Sequence, residues 1–141
     1  MTVRDALIAK VRAQGLPDGE GPLPVVSVEE FFTGNDDMGS IGCNLVDHPG
    51  VDSFYRLLRE IRARPDVQDV LVGIYEVEEG DPSMWPFSER VYVLTSASVD
   101  EIRELLAPLD PDEVFEGWMG DKPSAAPSVA EPNKVVTAWW D

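Results

Sequence analysis

Residues 34–50 gather the side chains best able to do chemistry: the only cysteine, Cys43, the only histidine, His48, and the carboxylates Asp36, Asp37 and Asp47, set among four glycines. Carboxylate oxygens from Asp36 and Asp37 suit magnesium, calcium or manganese, and the His48 imidazole could complete a transition-metal shell, so a divalent cation is one chemistry open to this stretch. A second is nucleophilic, with His48 turning back to activate a Cys43 thiolate. Neither carries a specific spacing: there is no calcium-loop pattern, no paired-histidine motif and no phosphate-binding glycine signature. Each residue also has a structural reading. Residues 35–37 can build a turn, Asp47 or His48 can cap a helix, and Cys43 can pack as a small apolar group on a strand.

A different constellation lies downstream. Glu76, Glu78, Glu79, Asp81 and Glu89 surround Trp85, Pro86 and Phe87, an aromatic anchor inside an acidic rim. Such a profile fits a contact surface for a basic partner, with Trp85 either facing that partner or folding back over the core. Trp118, Trp139 and Trp140 extend the aromatic count. Adjacent residues of a strand point to opposite faces, so one of Trp139 and Trp140 belongs to the core and the other is free to line a groove; Trp118 and Trp140 join Trp85 and Phe87 as candidate contacts. Four arginines, Arg56, Arg59, Arg62 and Arg64, form a local cationic stripe. Pairing with Asp52, Glu60 and nearby loop acids accounts for it better than phosphate binding does.

Charge narrows the partner. The chain has 27 acids against 11 bases, a formal net charge of −16, in 141 residues. Residues 1–64 carry 10 acids and 7 bases, whereas 65–141 carry 17 and 4, so the second half supplies most of the field. That field repels nucleic acid and anionic membrane and attracts basic protein. A lone cysteine rules out an internal disulfide, and no stretch reads as a secretory leader, so a reducing cytoplasm is the expected compartment. No apolar run approaches the ~18 residues of a membrane helix.

The elements that must position these residues follow from periodicity. Thr2 and Asp5 make a capping box, and Val3, Leu7 and Val11 recur on one face, giving an N-terminal helix within 1–14. Residues 15–24, rich in proline and glycine, read as a connector to an α+β body at 25–141, the whole forming one domain over 1–141. Residues 25–32 run from a valine-rich strand into a short helix opened by Ser27 and Glu30. The spacing then predicts a strand at 40–46 and an amphipathic helix to about residue 63 with Pro49 in its first turn. A doubly apolar strand at 67–78, a strand at 90–96, a helix from Ser98 through 107, a strand at 112–119 and a last strand at 135–140 complete the set.

From residue 40 onward this order is βαββαβ plus one strand, matching a split βαβ or ferredoxin-like arrangement: a mostly antiparallel sheet with two helices on one face. In size, acidity and tryptophan content the chain resembles bacterial immunity or inhibitor proteins that neutralise a basic toxin; the likeness is one of composition, and no motif carries over.

The sequence therefore favours a non-enzymatic binding protein for a basic partner over an enzyme or ligand-binding domain built on residues 34–50. The second option would use Asp36, Asp37 and His48 as metal or acid-base groups. A third is a subunit whose hairpin or last strand pairs with a second copy to make a homodimer. No cofactor is expected beyond that possible divalent cation.

Overall fold

The computed structural model describes residues 2–15 and 21–141, so residues 16–20 of the expected connector lie outside the described residues. The elements run α1 (Val3–Ala13), β1 (Val25–Ser27), α2 (Val28–Phe32), α3 (Val51–Arg62), β2 (Val67–Gly73), β3 (Arg90–Thr95), α4 (Val99–Leu106), β4 (Glu113–Glu116) and β5 (Lys134–Trp139). The five strands form one sheet in the order β1-β2-β3-β5-β4, each neighbour antiparallel to the next. The fold is α+β, as its pattern implied.

Caps set three helix starts. Thr2 accepts the Asp5 amide while Asp5 reaches back to Thr2, and Ser27 and Glu30 do the same for α2. Ser98 accepts the Glu101 amide at the start of α4. Each such cap contributes roughly 1 kcal/mol by satisfying a donor that the first helical turn leaves without a partner.

Strand alternation divides the apolar residues between two layers. Val70, Val72, Val91, Val93, Val136 and Ala138 point to the face on which all four helices pack, with Phe31, Phe54, Leu58, Ile61 and Ile102 of the helices fully buried against them. A side chain such as Leu58 or Phe54, at 0% exposure, contributes roughly 1.5–3 kcal/mol by leaving water. Leu71, Tyr92, Leu94 and Val135 point the other way, where Trp118, Met119, Ala126 and Val129 cover them. Gly73 belongs to this packing: a Cβ there would lie 2.8 Å from Arg90 Cγ, so the missing side chain leaves room for the arginine stem.

The chain order of strands and helices stands, but its first strand is β1 and not 40–46. In that region Met38–Ser40 forms a single 3-10 turn, and Ile41 makes only an isolated bridge to Ser88. Gly42 is the reason: its φ of +65° turns the chain out of extended geometry, and the following turn leaves Cys43 exposed rather than packed on a strand. The helix start differs as well. Gly50, at φ +96°, is the N-cap of α3 with no side-chain cap, so neither Asp47 nor His48 caps it and Pro49 precedes it.

The split βαβ arrangement is realised in one half. β3 and β4 both run antiparallel to β5, hence parallel to each other, with α4 connecting them and β5 between. In the first half β1 and β2 are direct antiparallel neighbours, so no strand separates them. β5, expected as an addition to the sheet, occupies its interior.

The strands named above for self-pairing lie inside this sheet. β5 and the β2–β3 pair are internal, and the sheet edges are β1 and β4. At β1 the Gln14 amide takes both main-chain groups of Val25, accepting its N–H at 2.9 Å and donating to its carbonyl at 2.8 Å. At β4 an Arg103 nitrogen donates to the Val114 carbonyl at 2.9 Å. Side chains thus blunt both edges against further strand addition. Among the described residues no helix is long and apolar enough to cross a membrane.

Candidate functional site

The two constellations singled out by residue type meet at one cleft. Thr2, Val3, Arg4 and Asp5 from the start of α1, Gly34, Asp36 and Asp37 from the turn after α2, and Pro82, Ser83 and Trp85 from the acidic loop line a space of about 420 Å³. Asp37 makes the join. One of its carboxylate oxygens accepts the Gly39 amide at 3.0 Å, and the other accepts the Trp85 amide at 3.0 Å. Asn35, buried beneath, orders the turn by donating to Ser40 Oγ at 2.9 Å and accepting the Asp37 amide at 2.9 Å. Asp36 is left exposed at the rim.

Arg4 fixes the acidic loop. Its Nε donates to the Met84 carbonyl at 2.8 Å, and its Nη2 donates to the carbonyls of Glu78, Asp81 and Glu79 at 2.7, 2.9 and 3.3 Å. The guanidinium fork spans four main-chain acceptors, a geometry that lysine could not supply. Bonds from a charged donor are the stronger class, so this one side chain holds a loop without secondary structure of its own. Residue spacing carried no sign of it, because Arg4 and Met84 are 80 residues apart.

The loop's carboxylates are exposed. Glu76, Glu78, Glu79 and Asp81 all face solvent. Glu79 pairs with Arg12, and Asp81 accepts from the Ser83 amide and hydroxyl, which holds its carboxyl below the usual range. Glu76 is shifted the opposite way, raised first by burial and then by the neighbouring Glu78 carboxyl. The Glu78 carboxyl thus lies near enough on the surface to act on Glu76.

The aromatic residues divide. Trp85 folds over the core at 6% exposure while still lining the cleft, and Phe87, half-buried, continues the hairpin through a bridge to Glu76. Trp140, grouped above with the contact residues, is corrected to core: it is 2% exposed, stacks obliquely on Phe54 at 5.5 Å and donates its indole N–H to the Leu109 carbonyl at 2.8 Å. Its neighbour Trp139 takes the opposite, half-exposed face. Trp118 is half-buried, edge-on to Tyr92 at 4.9 Å.

The proposed metal set does not assemble. His48 accepts the Gly50 amide on Nδ1 at 2.9 Å, so its proton sits on Nε2, which lies 2.7 Å from the Ile41 carbonyl. Both ring nitrogens therefore serve the main chain, and neither is left for a cation or for Cys43. Asp37 is likewise committed to two amides, and among the described residues no group of three or more His, Cys, Asp or Glu side chains is placed to share a metal ion.

The arginine stripe pairs across elements more than along its helix. Arg62 meets Glu29 of α2, Arg64 meets Asp66 and Glu101, and Arg59 lies over the Tyr55 ring at 4.9 Å. Arg62 and Glu29 each hold the other's charge: the guanidinium lowers the Glu29 carboxyl below its ordinary range and is itself raised.

The model of the family described as "Uncharacterized protein YfbO family" matches residues 2–138. The chain is similar to the "Uncharacterized protein YfbO" of Escherichia coli (strain K12), with 38% identity over 121 residues covering 85% of this chain and 84% of that relative. No solved structure matches it.

Proposed function

The chain belongs to the YfbO family over nearly its whole length, and from that premise we propose that it is a non-enzymatic binding protein that recognises a basic protein partner through the acidic loop at residues 76–81. One observation carries this reading: Arg4 is used on the loop's carbonyl oxygens and not on its carboxylates. The main chain is held rigid while the charges of Glu76 and Glu78 stay exposed beside each other. Like charges kept together raise the energy of the free surface, and an arriving cation relieves it, so the arrangement favours the bound state of a basic partner. With a net charge of −16, long-range attraction would also speed the encounter. An immunity- or inhibitor-type role, in which a basic protein is sequestered in the cytoplasm, is the form this reading takes.

The test compares the wild-type chain with a triple variant, Glu76→Gln, Glu78→Gln, Asp81→Asn, each immobilised and challenged with native lysate at low and high salt. The expected result is a stoichiometric basic protein retained by the wild type at low salt, released at high salt, and absent from the variant. Identical retention by the two proteins would remove the reading.

A further inference from the structure

His48, the single histidine of the chain, ties together the two ends of residues 42–49. Its Nε2 donates to the Ile41 carbonyl at 2.7 Å, and its Nδ1 accepts the Gly50 amide at 2.9 Å. Both anchor points belong to the body of the fold. Ile41 is fully buried and bridges to Ser88, and the Gly50 carbonyl accepts the Ser53 and Phe54 amides at 3.1 and 3.3 Å to open α3. The span between them has few other attachments among the described residues: Leu45 bonds back to the Gly42 carbonyl and packs against the core, and Asn44 donates to the Asp141 carbonyl at 2.9 Å. Cys43, Asn44, Val46 and Asp47 are exposed, Val46 at 97%. The imidazole closes this loop.

The two bonds together require a neutral ring with its proton on Nε2. A second proton goes to Nδ1, where it turns the acceptor into a donor facing the Gly50 N–H, so that bond is lost while the bond to Ile41 is kept. Histidine is the side chain whose charge ordinarily changes between about pH 5 and 8. The ionisable groups on the elements around the ring are Asp47 and Cys43 of the loop, Asp52 and Arg56 of α3, Glu89 beside the Ser88 bridge, and Asp141 at the chain end; Phe54, 5.4 Å from the ring, and Trp140 behind it fill the apolar side. Carboxylates predominate, so the cost of the second proton falls on the Gly50 bond. We propose that His48 is an acid-released clamp: a proton on Nδ1 frees the Gly50 amide and loosens residues 42–49 with the first turn of α3, while the sheet and core stay folded. The device stands apart from the acidic loop at residues 76–81 and does not depend on the partner proposed for it.

The experiment follows the full chain by heteronuclear NMR from about pH 8 to about pH 5, the range in which an imidazole ordinarily titrates. The two His48 ring nitrogens report tautomer and charge, and amide exchange, corrected for its intrinsic dependence on pH, reports protection at Gly50, with Leu58 in the middle of α3 as the reference. At high pH the ring is expected as the Nε2–H tautomer with the Gly50 amide protected. As the second proton arrives, Gly50 exchange is expected to quicken roughly five- to tenfold, the worth of one hydrogen bond, while Leu58 stays unchanged. The comparison is His48→Asn, whose side-chain oxygen can accept the amide two residues on and does not titrate; its Gly50 protection is expected to be independent of pH. A ring that keeps a single proton down to pH 5, a charged ring with Gly50 still protected, an equal loss in His48→Asn, or a loss that Leu58 shares in step would each overturn the clamp. The wild-type titration decides the matter even where the variant fails to fold.

Discussion

Residues 34–50 and residues 76–87 drew attention for the same reason, a concentration of unusual side chains, yet the protein uses them in opposite ways. The first segment directs its polar groups inward: Asn35, Asp37 and both nitrogens of His48 bond to main-chain or buried groups. The second has its main chain tied down by Arg4 and directs its carboxylates outward. Reactive residue types mark a site only when their partners leave them free, and a loop can keep its charges turned to solvent when something else holds its backbone.

If this contrast is right, the largest stability loss comes from the inward segment. Asn35→Ala removes a donor to Ser40 and an acceptor for the Asp37 amide at a residue 7% exposed, and it is expected to cost about 2 kcal/mol or more. Urea unfolding with an unchanged slope would measure it, and a loss within about 0.5 kcal/mol would break the distinction. Next comes Arg4→Met, which keeps the stem and removes the fork. A global loss of about 1–2 kcal/mol is expected, because the bonds are strong but lie near solvent. Amide hydrogen exchange in residues 77–86 should quicken well before the rest of the chain; unchanged protection there would show that another contact holds the loop.

The smallest effect belongs to Glu78→Gln. In the folded protein Glu76 binds its proton more tightly than in the unfolded chain, by burial first and by Glu78 second. Its contribution is therefore fully present below the ordinary carboxylate range and is lost as pH rises through the raised value. Removing the Glu78 charge should reduce that loss, so the variant gains on the wild type as pH climbs and holds its gain above the transition. Solvent screening at this exposed position limits the gain to about 0.5 kcal/mol or less. Thermal melts of both proteins across the acidic range measure it, and parallel stability profiles would show that the two carboxyls do not interact.

What was legible in the residues follows the range of the forces. Local signals held: the capping boxes at Thr2 and Ser27, and the alternation of Val70, Leu71 and Val72 that buries both faces of β2. The strand expected at 40–46 failed at Gly42, whose positive φ was not marked by its neighbours in sequence; Leu45 and Phe54 close around it, and a Cβ there would lie 2.9 Å from the Leu45 side chain. The acidic loop was legible as charge, while its anchor was not, since Arg4 reads as one more exposed base on a helix until the chain folds back. The two tryptophans near the end illustrate the same limit. Alternation required opposite faces, and only the closure of the sheet decided that Trp140 takes the core.

The position of β5 bears on how the chain is made. During synthesis β1, β2 and β3 leave the ribosome early and can pair in sequence, and α4 and β4 follow; β4 then has no strand to bond until residues 134–139 emerge, because its sole neighbour is β5. Until that moment β3 also presents an open edge, in a nascent protein whose helices already need a sheet to cover. The sheet is completed from within, by the last of its strands to be translated, so the segment that could have been an appendage is the one that joins β3 to β4.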